Sequence, residues 1–112
     1  MSGKINRFDV VDVLRQTQVV LDRDGWIQGK LHSSPEDKVQ GRCLVGALHT
    51  AAKDINTWYQ NTEVALLALS NALTDQIGHH TGVGQWNDYK TTTRAHVDSL
   101  LSTAIERYIS NG

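Results

Sequence analysis

One stretch constrains this chain more than any other: Gly41-Arg42-Cys43-Leu44-Val45-Gly46-Ala47-Leu48-His49-Thr50-Ala51-Ala52, which holds the only cysteine. On a helix, Leu44, Ala47, Leu48 and Ala51 make one apolar stripe, while Cys43, Gly46 and Thr50 make a second, narrow edge of small residues. Neighbours can approach such an element closely on two sides, so the spacing predicts a helix in the middle of a bundle. Gly46 costs about 1 kcal/mol relative to Ala inside a helix. That cost predicts that another backbone or ring packs against it.

The rest of the chain supplies partners for that helix. Residues 1–7 read as a flexible arm. Asp9 then caps a helix over 9–24, on which Val10, Val13, Leu14, Thr17, Val20 and Leu21 share a face. Gly25 supplies its left-handed end, and Trp26 can fold back over the last turn. Residues 25–42 are the least regular part, long for a connection, with a turn around Ser34-Pro35. They read as a working loop or a structured strap.

Helix two spans about 43–52. After a polar linker bearing Trp58 and Tyr59, Thr62 is placed to cap helix three over about 62–77, with Gly78 at its end. Val64 to Leu73 is apolar on nearly every side, which predicts the most buried helix of the fold. Leu66, Leu69, Leu73 and Ile77 are expected to face the bundle, and Val64 and Leu67 the other way. If both of the latter are exposed, they mark a contact face for a homodimer. A glycine-rich loop over 79–85 leads to Trp86-Asn87-Asp88-Tyr89. One of Thr91 to Thr93 then caps helix four, whose stripe is Val97, Leu100, Leu101, Ala104, Ile105 and Tyr108. The reading is an all-α, compact bundle of about four helices with one long irregular connection (residues 25–42), in a single domain over 1–112.

Three motifs stand in order: Gly25-Trp26-Ile27-Gln28-Gly29, Cys43-Leu44-Val45-Gly46-Ala47, and Trp86-Asn87-Asp88 before a capped helix. In that order the chain resembles an actinobacterial and actinophage family of unknown function (domain of unknown function 6197). The resemblance implies a shared fold and a phage or prophage origin, and carries over no activity. It departs in helix four, where His96 stands at the position expected to hold an acid. With Thr93 as the cap, the reciprocal capping box is then expected to be lost.

Cys43 is the candidate nucleophile, and the only catalytic candidate. A helix N-terminus and Arg42 favour its thiolate, whereas burial among Leu44, Ala47 and indole rings opposes it. A base would have to come from His49, His79, His80 or His96, oriented by an acid such as Asp88. No cysteine-enzyme signature surrounds the residue, so a small buried core thiol is the simpler reading. His79-His80 could ligate a metal with His32 or Asp88, but adjacent histidines point apart, and the loop reads as surface; no metal and no cofactor is expected. Gly82-Val83-Gly84 lacks the strand and the Gly-Lys-Ser/Thr of a phosphate loop. Trp26, Trp58 and Trp86 either roof a pocket near Cys43 or close the ends of the bundle as apolar lids.

Composition bounds the function without naming it. With 112 residues, a net charge of −1 and no basic cluster, the chain lacks the electrostatic footprint of a nucleic-acid binder. No apolar run reaches the ~18 residues of a membrane span, and Met1-Ser2-Gly3-Lys4 opens no signal peptide, so a cytoplasmic location is expected. The leading expectation is a non-enzymatic protein-interaction or regulatory module, with a protein partner or a second copy as its ligand. The alternative is an enzyme or small-ligand-binding protein with a site around Cys43, Trp26, Trp86 and Asp88, and a nucleic-acid-binding regulator comes third. Two structural expectations follow. The Trp-Asn-Asp turn should cap the first turn of helix two through Asp88 or Asn87, since Gly41 and Arg42 have no side-chain oxygen. Cys43 should be buried against Trp26 or Trp86 and unreactive.

Overall fold

A computed structural model describes residues 7–110 of the chain. Five helices run in the order α1 (Arg7–Asp24), α2 (Leu44–Asp54), α3 (Tyr59–Ile77), α4 (Val83–Asn87) and α5 (Arg94–Ser110). The fold is all-α, as the periodicity requires. Four helices are long, and the other is a five-residue turn of helix that runs from the expected 79–85 loop into the Trp-Asn-Asp turn, flanked by Gly82 and Asp88. The predicted arm lies outside the described residues except at Arg7, which already belongs to α1.

The stripe on α1 is buried along its whole length: Val10, Val13, Leu14, Val20 and Leu21 are fully covered. Thr17 sits among them without cost because its hydroxyl donates to the Val13 carbonyl at 2.7 Å, one turn back. On α5, Val97, Leu100, Leu101, Ala104 and Ile105 are buried, and Tyr108 packs half-buried against them. α1 packs against α2, α3 and α5, and the core is a single cluster to which α4 adds Val83 and Trp86. Each fully buried Leu or Val contributes roughly 1.5–3 kcal/mol. Gly25 ends α1 at φ +93°, its N–H donating to the Leu21 carbonyl at 2.9 Å.

Helix three differs from expectation in three ways. It starts at Tyr59, with Trp58 as an N-cap that makes no side-chain bond, while Thr62 lies buried inside the helix. It is not the most buried element: six of its nineteen residues are buried, against six of eleven in α2. Small residues explain the reversal, since α2 is narrow enough to be covered from several directions. Leu69 and Leu73 face the core and Leu67 is 57% exposed, but Val64 packs half-buried against the core, as do Leu66 and Ile77. The expected homodimer face required both Val64 and Leu67 to be open. That condition is not met.

The 25–42 connection is a structured strap. Trp26 pairs with Arg42 in a parallel bridge, and His32 pairs with Arg42 in an antiparallel one, so two arms of the strap clasp the third. The Arg42 N–H donates to the Gly25 carbonyl at 2.9 Å, and the Ser33 N–H to the Gly41 carbonyl at 2.9 Å. The arms touch where Gly41 meets Gly25; a Cβ on Gly41 would stand 2.7 Å from the Gly25 carbonyl. No described helix is long and apolar enough to cross a membrane.

Candidate functional site

The three sequence motifs meet at one buried side chain, Asn87, at the end of α4. Its carbonyl oxygen accepts the Trp26 indole N–H at 2.7 Å and the Leu44 backbone N–H at 3.0 Å. Its amide nitrogen donates to the Ile27 carbonyl at 3.1 Å and to the Asp88 carboxylate at 3.0 Å. The hydrogen-bonding capacity of that amide is thereby filled. Asn87 thus supplies from a distance the acceptor for the first N–H of helix two, that of Leu44. Asp88 does not supply it: this exposed side chain instead accepts the Gly29 N–H at 2.8 Å.

Gln28 adds a second stitch. Its amide nitrogen donates to the carbonyls of Asn87 at 2.9 Å and Tyr89 at 2.7 Å, with Thr92 at 3.4 Å, so it gathers the free carbonyl end of α4. The Thr92 hydroxyl closes the same turn on the Trp86 carbonyl at 2.7 Å. Trp26, Gln28, Cys43, Asn87 and Asp88 of the ordered trio all make hydrogen bonds within the protein.

Cys43 is buried and is the N-cap residue of α2; its sulfur accepts the Gly46 N–H at 3.3 Å. The backbone N–H of Cys43 donates to the Leu31 carbonyl at 3.0 Å. That same carbonyl lies against Gly46, where a Cβ would come within 2.2 Å of its oxygen. This is the close backbone approach that the glycine in helix two predicted. No histidine bonds to the sulfur among the described residues: His49 and His80 are exposed, His79 lies near the His80 carbonyl, and His96 is engaged at the start of α5. Trp86 is buried in the core, Trp26 is half-buried, and Trp58 is 50% exposed at the far side of the α2–α3 turn. The three indoles do not roof one pocket. No group of three metal-ligating side chains occurs among the described residues.

His96 repairs the capping box that its identity was expected to break. Its ring Nδ1 accepts the Thr93 N–H at 3.0 Å, and its own N–H donates to the Thr93 hydroxyl at 3.2 Å. The imidazole Nδ1 stands in for the usual carboxylate oxygen.

A cluster that sequence reasoning missed joins α1 to the strap. Arg42 donates through Nε to Asp24 at 2.8 Å, and its Nη1 lies 2.6 Å from Nδ1 of His32. Arg23 grips the same Asp24 with two bonds and reaches Asp54 at 3.2 Å. Hydrogen bonds from Arg23 and Arg42 hold the Asp24 carboxyl well below the usual carboxylate range. Desolvation lowers the pKa of His32, and the charges of Arg42 and His49 act in the same direction, so its Nδ1 is the acceptor for Arg42. The three residues stand 18 and 10 positions apart, and only the strap brings them together. The paired glycines at 25 and 41, each next to a cluster member, were the available signal.

The fold and the clasp define a helical bundle carrying a strap fixed by a buried asparagine. The chain belongs to a family of unknown function, DUF6197, whose model matches residues 6–107. No curated protein and no solved structure matches it.

Proposed function

We propose that this protein is a non-enzymatic protein-interaction module of an actinobacterial or phage cytoplasm, and that the strap is its docking face. The observation that carries the reading is the saturation of Asn87. Trp26, Cys43 and Asn87 are tied to one another or to backbone, and the exposed Asp88 is engaged through one oxygen by the Gly29 N–H and the Asn87 amide. What they achieve is a rigid strap. Its outer side chains are left uncovered: Leu31 is 52% and Val39 67% exposed. Exposed apolar groups on a rigidly held segment mark an interaction surface, since little conformational entropy is lost when a partner covers them.

Capture of partners on the immobilised protein tests this. Cys43→Ala is expected to retain the partner that the wild type retains, and Val39→Asp to lose it while keeping its helical circular dichroism. Loss of capture by Cys43→Ala in a folded protein, or full capture by Val39→Asp, contradicts the reading.

A further inference from the structure

The strap has a groove of about 470 Å³ between its two outer arms. Trp26 and Ile27 line it on one arm and Val39 on the other, giving it an apolar surface. Three charged side chains share it: Lys30, Asp37 and Lys38. Two of these are already paired, because Lys30 donates to Asp37 at 3.0 Å across the groove. The Asp37 carboxylate also receives the Ser34 N–H at 2.8 Å and the Ser34 hydroxyl at 3.2 Å. Lys38 is exposed and forms no ion pair among the described residues. The groove therefore carries an apolar patch of Trp26, Ile27 and Val39 beside the polar Gln28 and, among the described residues, one positive charge without an ion pair.

We propose that this groove docks an extended protein segment bearing a carboxylate next to apolar side chains. The proposal rests on the protein-interaction reading and names the partner's chemistry. An acid on the segment meets Lys38, and its apolar neighbours cover Trp26 and Val39. The Trp26 indole N–H is held by Asn87, so this ring offers its partner apolar surface, with no indole donor to satisfy. The shape favours a segment over a small molecule: sites for small ligands enclose most of the ligand's surface, whereas here Val39 is 67% exposed and both lysines face water. Nucleic acid is disfavoured because a single unpaired cation neutralises little of a phosphate chain.

Fluorescence anisotropy with a labelled hexapeptide, Asp-Leu-Glu-Phe-Asp-Leu, and its lysine counterpart, Lys-Leu-Lys-Phe-Lys-Leu, tests the inference. The acidic probe is expected to bind saturably, to weaken at least tenfold in Lys38→Glu, and to weaken as salt rises. The lysine probe is expected to bind the wild type at least tenfold more weakly than the acidic one, and to gain affinity in Lys38→Glu. Lys38 is exposed and unpaired, so circular dichroism of the variant should match the wild type. Equal binding of the two peptides, or an acidic probe indifferent to Lys38→Glu, overturns the proposal. Partner capture separates the two claims: if the probes fail but Val39→Asp still abolishes capture, the partner's chemistry is wrong and the docking face stands.

Discussion

The Asn87 side-chain oxygen lies 2.7 Å from the Trp26 indole nitrogen and 3.0 Å from the Leu44 backbone nitrogen. One acceptor thus closes the strap and starts helix two. Folding of the 25–42 region is coupled to folding of the central helix through a residue that lies more than forty positions from either partner in sequence.

Asn87→Ala leaves the Trp26 and Leu44 donors without an acceptor. Stranding buried donors costs about 1–3 kcal/mol each, so a loss of roughly 3 kcal/mol is expected in urea denaturation. Asn87→Asp keeps the acceptor but removes the donor to the Ile27 carbonyl and sets a carboxylate beside Asp88, and it should also destabilise. Asp88→Ala removes the exposed bond to Gly29 and one of the two acceptors of the Asn87 amide, and should cost about 1 kcal/mol, well below the loss at 87. Equal losses for Ala at 87 and 88 would contradict the assignment.

Gly46→Ala reverses the ordinary helix scale. In a solvent-facing helix the change gains about 1 kcal/mol. Here the new methyl would stand 2.2 Å from the Leu31 carbonyl oxygen and must push the strap away. A loss of roughly 2 kcal/mol or more is expected, with faster amide exchange at Cys43, whose N–H bonds to that carbonyl. A melting temperature equal to or above wild type would show that the strap is not seated as described.

His32 makes stability depend on pH. Its folded pKa lies below the ordinary histidine value, so the unfolded chain binds more protons just below pH 6.5. Its contribution is therefore complete above the unfolded pKa and declines as pH falls toward the folded one. Desolvation is the largest cause of this shift, and the charges of Arg42 on the strap and His49 on α2 act in the same direction; Asp24 and Arg23 face Arg42 from α1. Urea midpoints of the wild type should fall between pH 7 and pH 5, and His32→Gln should flatten that decline. An unchanged slope in His32→Gln removes His32 from the explanation.

His96→Glu restores a carboxylate to the capping box and adds a favourable charge at the first turn of α5. A gain of about 0.3–1 kcal/mol is expected from thermal melts at neutral pH. A loss would mean that the imidazole makes a contact beyond the Thr93 N–H.

The sequence was most legible where periodicity spoke alone. The stripes of α1 and α5, the glycine stops at 25 and 78, and the glycine of α2 that admits another backbone all follow from spacing. Local chemistry misled where tertiary structure replaced it. Thr62 resembles a cap, yet α3 begins three residues earlier, at Tyr59, after an N-cap Trp58 that makes no side-chain bond, and Thr62 is buried within the helix. α4 was hidden because five residues between glycine and aspartate carry no period. Asn87 and Asp88 are adjacent and chemically similar, and only burial separates the clasp from its neighbour. The Asp24–Arg42–His32 cluster had no signature beyond the glycines at 25 and 41 that stand beside two of its members.

The most direct test of the claim that the motif residues hold the strap, and do no chemistry, is the rate at which a disulfide reagent modifies Cys43 in the native protein near neutral pH. The thiol is buried and caps α2, and the strap's Leu31 carbonyl holds its backbone. Reaction should therefore wait for local opening, running roughly a thousandfold slower than in denaturant, and Asn87→Ala should accelerate it. Modification of the native thiol as fast as the unfolded one, or faster, with no response to Asn87→Ala, would contradict the account and make Cys43 a reactive site.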